Sequence, residues 1–323
     1  MAQKHVGIDI SKDTFNAAFQ TSKGCWSDAE FENKPSGRRK LLEWAGAEGV
    51  FTMEATGYYH METALFLHGK KRLVHVANPM LVKRFSQMLF QRGKTDKADA
   101  RMIAEFALCN EDRLRDWKPA EGRLGEARSL LTAIKQVSKQ ITQSTNCLGA
   151  LKLTKAGKIA ALAMAVLLRS QRRALHALES SLQTIVKEEF KDMYNAIMTI
   201  PGIGPKTTVA LIVCTNGFKE FKNQKQVTAY VGLSPRVFES GSSVRGKGHI
   251  CKLGNPYLRK LLYMCAVSSL MHNPVCKTFS DSLDDKGKAK KVAIVAVANK
   301  LLRIAFSVAK SKTTWNPELA MAH

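Results

Sequence analysis

Alternating apolar and polar positions in the first part of the chain predict strands, and later segments have a helical spacing. The alternation predicts three strands between residues 5 and 31, and apolar runs at 50–54 and 72–76 predict two more. Helices are expected near 36–45, before Gly69, and near 79–90 and 96–108. Three strands followed by alternating helices and strands predict a mixed α/β sheet.

The segment from 120 to 192 lacks proline and predicts a helical hairpin. Apolar residues step by three and four along a seam made of Ala127, Leu130, Ile134, Val137 and Ile141. Gly157 interrupts the run, and a second helix follows with Leu168, Leu175, Leu178, Leu182 and Ile185. We interpret the hairpin as a spacer or a contact between subunits. The alternative is a helical subdomain of a single core.

The third part of the chain begins with two predicted helices around Ile200-Pro201-Gly202-Ile203-Gly204. This pattern resembles a helix-hairpin-helix that binds the DNA backbone. Gly202 and Gly204 would let backbone N–H groups approach a phosphate, and Lys206 would add positive charge. A plain turn between helices is the alternative. Two further helices are expected at about 256–270 and 291–311.

These patterns predict an α/β plus α chain with three parts. We expect a sheet domain over 1–150, a helical coiled-coil segment over 151–192 and a mainly helical domain over 193–323. A chain of 323 residues is long enough for more than one core.

The charge of the chain points to nucleic acid. The net charge is +23, with 50 Lys and Arg against 27 Asp and Glu, and such an excess is typical of proteins that bind phosphate backbones. We expect phosphate contacts from seven cations: Arg84, Arg92, Lys94, Arg101, Lys206, Arg245 and Lys247. A basic protein with no such partner is the alternative.

Other composition features argue against a membrane or a secreted protein. No apolar run approaches the roughly 20 residues of a membrane span, and the N-terminal residues lead directly into a strand. The seven cysteines form no C-x-x-C pair, which fits reduced thiols and argues against a zinc site. We therefore expect a cytoplasmic protein that associates with the nucleoid.

Four acidic residues stand out against this positive charge: Asp9, Glu54, Asp96 and Asp99. Asp9 and Glu54 lie on the opposite strand faces from their apolar neighbours, and Asp96 and Asp99 share one face of a predicted helix start. Carboxylates that converge repel one another unless a cation lies between them. Mg²⁺ prefers such oxygen ligands and activates phosphoryl chemistry, so a metal site is the hypothesis.

Each acid also has an ordinary structural interpretation. Asp9 could begin a turn, and Glu54 could be a solvated strand end. Thr95 is a good N-cap, and acids in the first turn of a helix are favoured by its dipole, which would account for Asp96 and Asp99.

A loop rich in serine, glycine and basic residues spans 239–249. Its small and hydroxyl-bearing residues suit a close approach to a phosphodiester, with Arg245, Lys247 and His249 as anion ligands. Without other information it is a flexible loop. The residues themselves do not choose a nucleophile among Ser240, Ser242 and Ser243.

Five motifs, in this order, resemble the DEDD transposases of bacterial insertion sequences, recombinases guided by a bridge RNA. The motifs are Gly7-Ile8-Asp9, Met53-Glu54-Ala55-Thr56-Gly57, residues 94–101, Ile200-Pro201-Gly202-Ile203-Gly204, and residues 239–246. The resemblance runs over nearly the whole chain. It implies a RuvC-like (RNase H-like) domain, a helical linker and a C-terminal transposase domain.

The resemblance also implies the chemistry and the partners. Asp9, Glu54, Asp96 and Asp99 would bind Mg²⁺, with Mn²⁺ as a substitute, and Ser240 would be the nucleophile that forms a phosphoserine link. The partners would be donor DNA, target DNA and the bridge RNA, and the enzyme would act as a dimer or tetramer. Ser240 would then act beside a metal site of its own or a neighbouring subunit.

Two other functions remain as alternatives. A metal-dependent nuclease or Holliday-junction resolvase of the RuvC type would use water as its nucleophile, and a covalent protein–DNA adduct would exclude it. A non-catalytic nucleic-acid-binding protein would have lost its site, and metal-dependent strand cleavage would exclude that.

Overall fold

The structure is a computed structural model, and it describes residues 3–55, 57–89, 95–236, 239–240, 244–245 and 249–318. It divides into two compact units, Met1–Pro119 and Ala120–His323. The predicted boundary at residue 150 falls inside the helix Leu124–Leu151, which belongs to the second unit.

The first unit contains a five-stranded sheet with helices on both faces. Its elements are β1 (Lys4–Ile10), β2 (Thr14–Ser22), β3 (Cys25–Glu32), α1 (Pro35–Ala45), β4 (Gly49–Glu54), α2 (Met61–Gly69), β5 (Val74–Ala77), α3 (Pro79–Met88) and α4 (Asp96–Cys109). The strand order is β3-β2-β1-β4-β5. The first three strands pair antiparallel, and β4 and β5 continue parallel to β1. The predicted mixed sheet is confirmed.

One face of this sheet is apolar and packs on α1 and α2. Val6 and Ile8 of β1 lie beside Phe51 and Met53 of β4, and all four are fully or almost fully buried. They form one core cluster with Leu41 of α1 and with the buried residues of α2. Strand alternation therefore directs this set of side chains to one side, as the sequence pattern predicts.

The opposite face is covered by α4. Gly7 of β1 lies so close to this helix that an added Cβ would stand 2.2 Å from both the Ala100 carbonyl oxygen and the Ala104 nitrogen. Only glycine allows such a close approach of a strand to a helix backbone. A further small cluster joins α4 to α3 and β5 through Ile103, Val82 and Ala77.

The second unit is mainly helical. Its elements are α5 (Leu124–Leu151), α6 (Lys158–Glu189), α7 (Lys191–Met198), α8 (Pro205–Thr215), α9 (Gln224–Val231), the two-residue strands β6 (Pro235–Arg236), β7 (Glu239–Ser240), β8 (Val244–Arg245) and β9 (His249–Ile250), and α10 (Pro256–His272), α11 (Pro274–Asp285) and α12 (Lys290–Ser311). Between β9 and Ser311 the structure describes three helices where two were predicted, because Asn273 accepts a hydrogen bond from the Cys276 N–H and starts α11.

The helical hairpin of α5 and α6 is rooted in the core of this unit. Leu131 and Ile134 of α5 and Leu182 and Ile185 of α6 are buried in one cluster with α7, α8, α10 and α12. The hairpin is therefore not a free spacer at its base, which favours the subdomain interpretation for that part.

Of the described helices, α12 alone has the length and apolar composition of a membrane span. Of its most apolar stretch, 61% is buried within the fold. This is the burial expected of a central helix, whose apolar residues contact the core.

Candidate active site

Two of the four predicted acids lie side by side at the carboxyl ends of neighbouring parallel strands. Ile8 of β1 pairs with Met53 of β4, so the next residues, Asp9 and Glu54, are neighbours in the same register. Both are partly buried. Because the face alternates, these side chains leave the sheet on the Gly7 side, which is the face that α4 covers.

The other two acids lie in the first turn of α4. Thr95 caps this helix, its hydroxyl accepting a hydrogen bond of 3.2 Å from the Ala98 N–H. Asp99 immediately precedes Ala100, whose carbonyl meets Gly7. The first turn of α4 therefore lies against the strand that carries Asp9. The position of Asp96 and Asp99 in the first turn of a capped helix is also explained without a metal, because the helix dipole favours acidic residues there.

The four carboxylates are chemically suited to bind a divalent metal ion. Four oxygen donors from two strand ends and one helix turn are the ligand type that Mg²⁺ prefers. Among the residues that the structure describes, however, no three His, Cys, Asp or Glu side chains are arranged to hold a metal ion. The backbone positions support the metal site, and the convergence of the four side chains stays a prediction.

Further polar residues occupy the same sheet face and were not predicted from the sequence. Asp9 pairs with Asn16 of β2, and Asn16 pairs with Glu30 of β3, so a polar row crosses three strands. An alignment of β1, β2 and β3 as consecutive hairpins would have placed Asn16 and Glu30 beside Asp9, because the hairpin register determines which residues are neighbours.

The predicted phosphate contact Arg101 is engaged by Asp28 of β3. Its Nε donates to Asp28 Oδ1 at 2.7 Å, and a second nitrogen, Nη2, donates to Oδ2. This hydrogen-bonded Arg101 guanidinium lowers the pKa of the Asp28 carboxyl, and the carboxylate in turn raises the pKa of Arg101. Arg101 thus ties α4 to the sheet, a role that competes with phosphate binding.

The predicted nucleophile lies in the second unit, on a narrow β ribbon. Ser240 of β7 pairs with Val244 of β8, and Glu239 pairs with Arg245. Towards its base, β6 pairs with β9, and the Cys251 N–H donates to the Ser234 carbonyl at 2.9 Å. Ser242, Ser243 and Lys247 lie outside the described residues.

The glycine turn between α7 and α8 has a packing role. Gly202 has a φ of +97°, and an added Cβ would lie 2.6 Å from that of Ser269 in α10. Asn273 donates to the Pro201 carbonyl at 3.2 Å and so holds the turn against α11. Gly204 is different, since a Cβ there would meet nothing within 4 Å. A close approach to the backbone is therefore open at Gly204, whereas Ser269 occupies that space at Gly202.

The remaining predicted cations differ in their surroundings. Lys206 pairs with Glu179 of α6 at 2.7 Å, whereas Arg84 is exposed on α3. Arg245 belongs to β8, and Arg92 and Lys94 lie outside the described residues.

Comparison with known proteins gives matches along most of the chain. A DEDD transposase model of the IS110 type matches residues 6–156, and a model described as the transposase IS116/IS110/IS902 family matches residues 194–281. Pilin gene-inverting proteins of Moraxella bovis and Moraxella lacunata are 27% and 28% identical over 99% of both chains. The transposase for insertion sequence element IS1111A of Coxiella burnetii is 25% identical over 97% of this chain and 91% of its own.

These matches define a DNA transposase or recombinase, and the mixed sheet is consistent with that class. Within that class the chain belongs to the IS110 family of insertion-sequence transposases. The coarse function expected from the sequence is confirmed.

Proposed function

We propose that this transposase cuts and rejoins DNA by serine transesterification in a RuvC-like fold. The observation that carries the proposal is the position of Asp9 beside Glu54 at the ends of two parallel strands, under a helix whose first turn holds Asp96 and Asp99. This arrangement supports one acidic site. The strand order, with three antiparallel strands followed by two parallel ones, is consistent with an RNase H-like sheet.

In this proposal the four carboxylates hold Mg²⁺. The ion, when bound, would polarise the scissile phosphate and stabilise the charge on the entering and leaving oxygens. The protein contributes ligands fixed by strand register and by a capped helix. Close packing at Gly7 keeps α4 and β1 at a constant separation.

Ser240 supplies the nucleophile. Its hydroxyl oxygen bonds to phosphorus and its proton passes to solvent. The phosphoester bond to one strand end breaks, and that end takes a proton from solvent and leaves as a hydroxyl. A hydroxyl of another strand then attacks the phosphoserine, which joins the DNA and restores the serine. The number of phosphoester bonds is unchanged, so the exchange requires no nucleotide cofactor.

The guide and the assembly complete the proposal. A chain with a net charge of +23 suits a nucleic-acid backbone, and pairing between a bridge RNA and DNA would supply the sequence specificity. With one Ser240 in each chain, the exchange of several strands needs several subunits, and a closed dimer or tetramer is expected.

A covalent adduct is the decisive test. Wild-type protein, Mg²⁺ and a nicked donor DNA should give a phosphodiester on Ser240, located by mass spectrometry. Ser240→Ala should give none, whereas Ser242→Ala and Ser243→Ala should still form it. A free 5′-phosphate with no protein attached would instead support the water-using nuclease.

A mixing experiment tests the division of labour. Asp9→Asn and Ser240→Ala should each be inactive alone. If serine and carboxylates of different subunits work together, the mixture should recover part of the activity. No recovery would restrict each reaction to the groups of one chain.

The pilin gene-inverting relatives favour a second candidate, inversion of a DNA segment. They match 99% of the chain, which includes nearly all of both units. Inversion and insertion use the same cutting and joining chemistry and differ in the arrangement of the sites. A plasmid with two inverted element ends distinguishes them, because inversion flips the segment and transposition transfers it to a second plasmid.

A further inference from the structure

A polar groove lies at the base of the serine ribbon, in the second unit. It consists of two cavities that share Gln224 and Arg303 as lining residues. The larger cavity, about 710 Å³, includes Ser234 and Pro235, where the ribbon begins. The smaller, about 250 Å³, lies between α12 and the chain that follows it and includes Trp315. The groove therefore extends from the base of the Ser240 ribbon to the side chain of Trp315.

The groove is cationic and rich in neutral hydrogen-bonding groups. Lys225, Lys300 and Arg303 line it, and no described Asp or Glu does. None of these three cations forms an ion pair with a described residue. The neutral polar lining comprises Asn223, Gln224, Thr228, Ser234, Asn299, Ser307, Ser311, Thr313, Thr314 and Asn316. This lining suits an anion with further donors and acceptors.

Arg303 is held in place at the junction. Its Nε donates to Gln224 Oε1 at 2.7 Å, and the Gln224 amide donates to Ser307 Oγ at 2.9 Å. These bonds fix the guanidinium plane but occupy only one of its nitrogens. The two terminal nitrogens have no hydrogen-bond acceptor among the described residues, and they can donate together to a phosphate.

Trp315 forms a fixed wall at the far end. Its main-chain N–H donates to Thr199 Oγ1 at 2.8 Å, and its ring packs against the core. The indole Nε1 is buried and has no hydrogen-bond acceptor among the described residues. A tryptophan ring near an arginine and several hydroxyls is a stacking surface of the kind that binds a nucleotide base.

We infer that this groove binds a single strand of nucleic acid, with a phosphate on Arg303 and a base stacked on Trp315. The inference rests on the proposed action of the chain on nucleic acid, and it adds a defined subsite to that function. A strand held here would enter the ribbon at Pro235 and be positioned relative to Ser240. Arg303 and Trp315 are thus positioning residues rather than catalytic ones.

Binding to labelled oligonucleotides tests this directly. Fluorescence anisotropy with an oligodeoxythymidylate of about 16 nucleotides measures the affinity in EDTA, so that neither metal nor cleavage is needed. Trp315→Leu should weaken binding about tenfold, and Trp315→Phe should keep most of it, because a phenyl ring still stacks. Arg303→Gln should also weaken binding about tenfold and reduce the salt slope by about 0.7.

Lys310→Gln is the matched control. It removes one charge from the same helix, but Lys310 lies over the Phe306 ring and lines neither cavity. It should bind like wild type. Equal losses in Lys310→Gln and Arg303→Gln would overturn the inference, as would unchanged binding in both groove variants. Thermal melting confirms that each variant is folded.

Parallel probes identify the strand and separate this inference from the proposed chemistry. A preference for oligodeoxythymidylate over oligouridylate would assign the groove to DNA, and the reverse would assign it to a guide RNA. A duplex should be little affected by Trp315→Leu. Asp9→Asn and Ser240→Ala should bind the oligonucleotide as wild type does. The binding result can therefore be interpreted even if the proposed cleavage chemistry is wrong.

Discussion

The two faces of the five-stranded sheet use alternate residues of the same strands in different ways. Towards α1 and α2, Ile8 and Met53 are fully buried among apolar neighbours. Towards α4, the residues that follow them, Asp9 and Glu54, remain only partly buried. One face maximises apolar contact, and the other keeps carboxylates where a strand ends.

Residues that contribute to stability and residues of the proposed chemistry are therefore neighbours along one strand but lie on opposite faces of the sheet. A substitution on the apolar face should unfold the unit before it alters the reaction. A substitution of a carboxylate should do the reverse, because a partly solvated acid contributes little to folding. Gly7 lies between these cases, since it faces α4 and yet serves only packing.

Asp9→Asn or Glu54→Gln should have the largest effect on this comparison. Loss of one charged ligand from the proposed site should lower strand cleavage at least about a thousandfold, which is about 4 kcal/mol in the activation barrier. The unfolding free energy should change by less than about 1 kcal/mol. Glu30→Gln is the control, an exposed acid in the same polar row that should keep full activity. Cleavage rates and urea melts decide the outcome.

Gly7→Ala should destabilise the first unit by about 3 kcal/mol or more, because its Cβ would meet helix backbone that cannot rotate away. Gly69→Ala provides the comparison, since nothing lies within 4 Å of a Cβ there. It should be neutral. Chemical denaturation of both variants measures the difference, and a stable Gly7→Ala protein would contradict the close contact.

Met53→Ala tests the apolar face. Removal of a fully buried methionine should cost about 3 kcal/mol through lost transfer energy and the cavity left behind. Cleavage by the fraction that remains folded should be normal at low temperature. A specific loss of activity with unchanged stability would mean that the two faces are not separable.

Asp28→Asn should have the smallest effect, about 1 kcal/mol, because Arg101 is partly exposed and its attraction is screened. The folded-state pKa of Asp28 is lowered, so the stabilisation is present above the ordinary carboxylate pKa of about 3.9 and is lost as the pH falls through the folded-state value. Melts of wild type and variant at neutral and acidic pH should therefore converge in acid. A constant difference would argue against the ion pair.

The sequence could predict the sheet because alternation determines which residues share a face. The same alternation predicts that Asp9 and Glu54 share the other face, and the strand register makes them neighbours there, while their role stays a prediction. The sequence missed Asp28, whose pairing depends on where α4 crosses the sheet, a relation between residues 73 positions apart. The hydrogen bond from Asn273 to the Pro201 carbonyl could not be predicted either, because it joins distant parts of the chain. The role of Asn273 at the start of α11 could have been, since Asn-Pro is a recognisable signal for a helix start.

The second unit was harder to predict for a related reason. Several serines suited the role of nucleophile, and composition alone did not rank them. The groove forms where α9 contacts α12 and the chain that directly follows α12. Gln224 of α9 and Ser307 of α12, which are hydrogen-bonded there, are 83 positions apart. Local patterns contain no information about such meetings.

Because α5 packs in the core of the second unit, the boundary of the family match and the boundary of the compact folding unit differ in this protein. The family match ends at residue 156, within the turn of the hairpin, whereas the compact unit ends at Pro119. A fragment cut at 156 would carry α5 without α6 and leave Leu131 and Ile134 open to solvent. Limited proteolysis should therefore release a resistant piece that ends near Pro119, and the evolutionary module should prove the less soluble of the two.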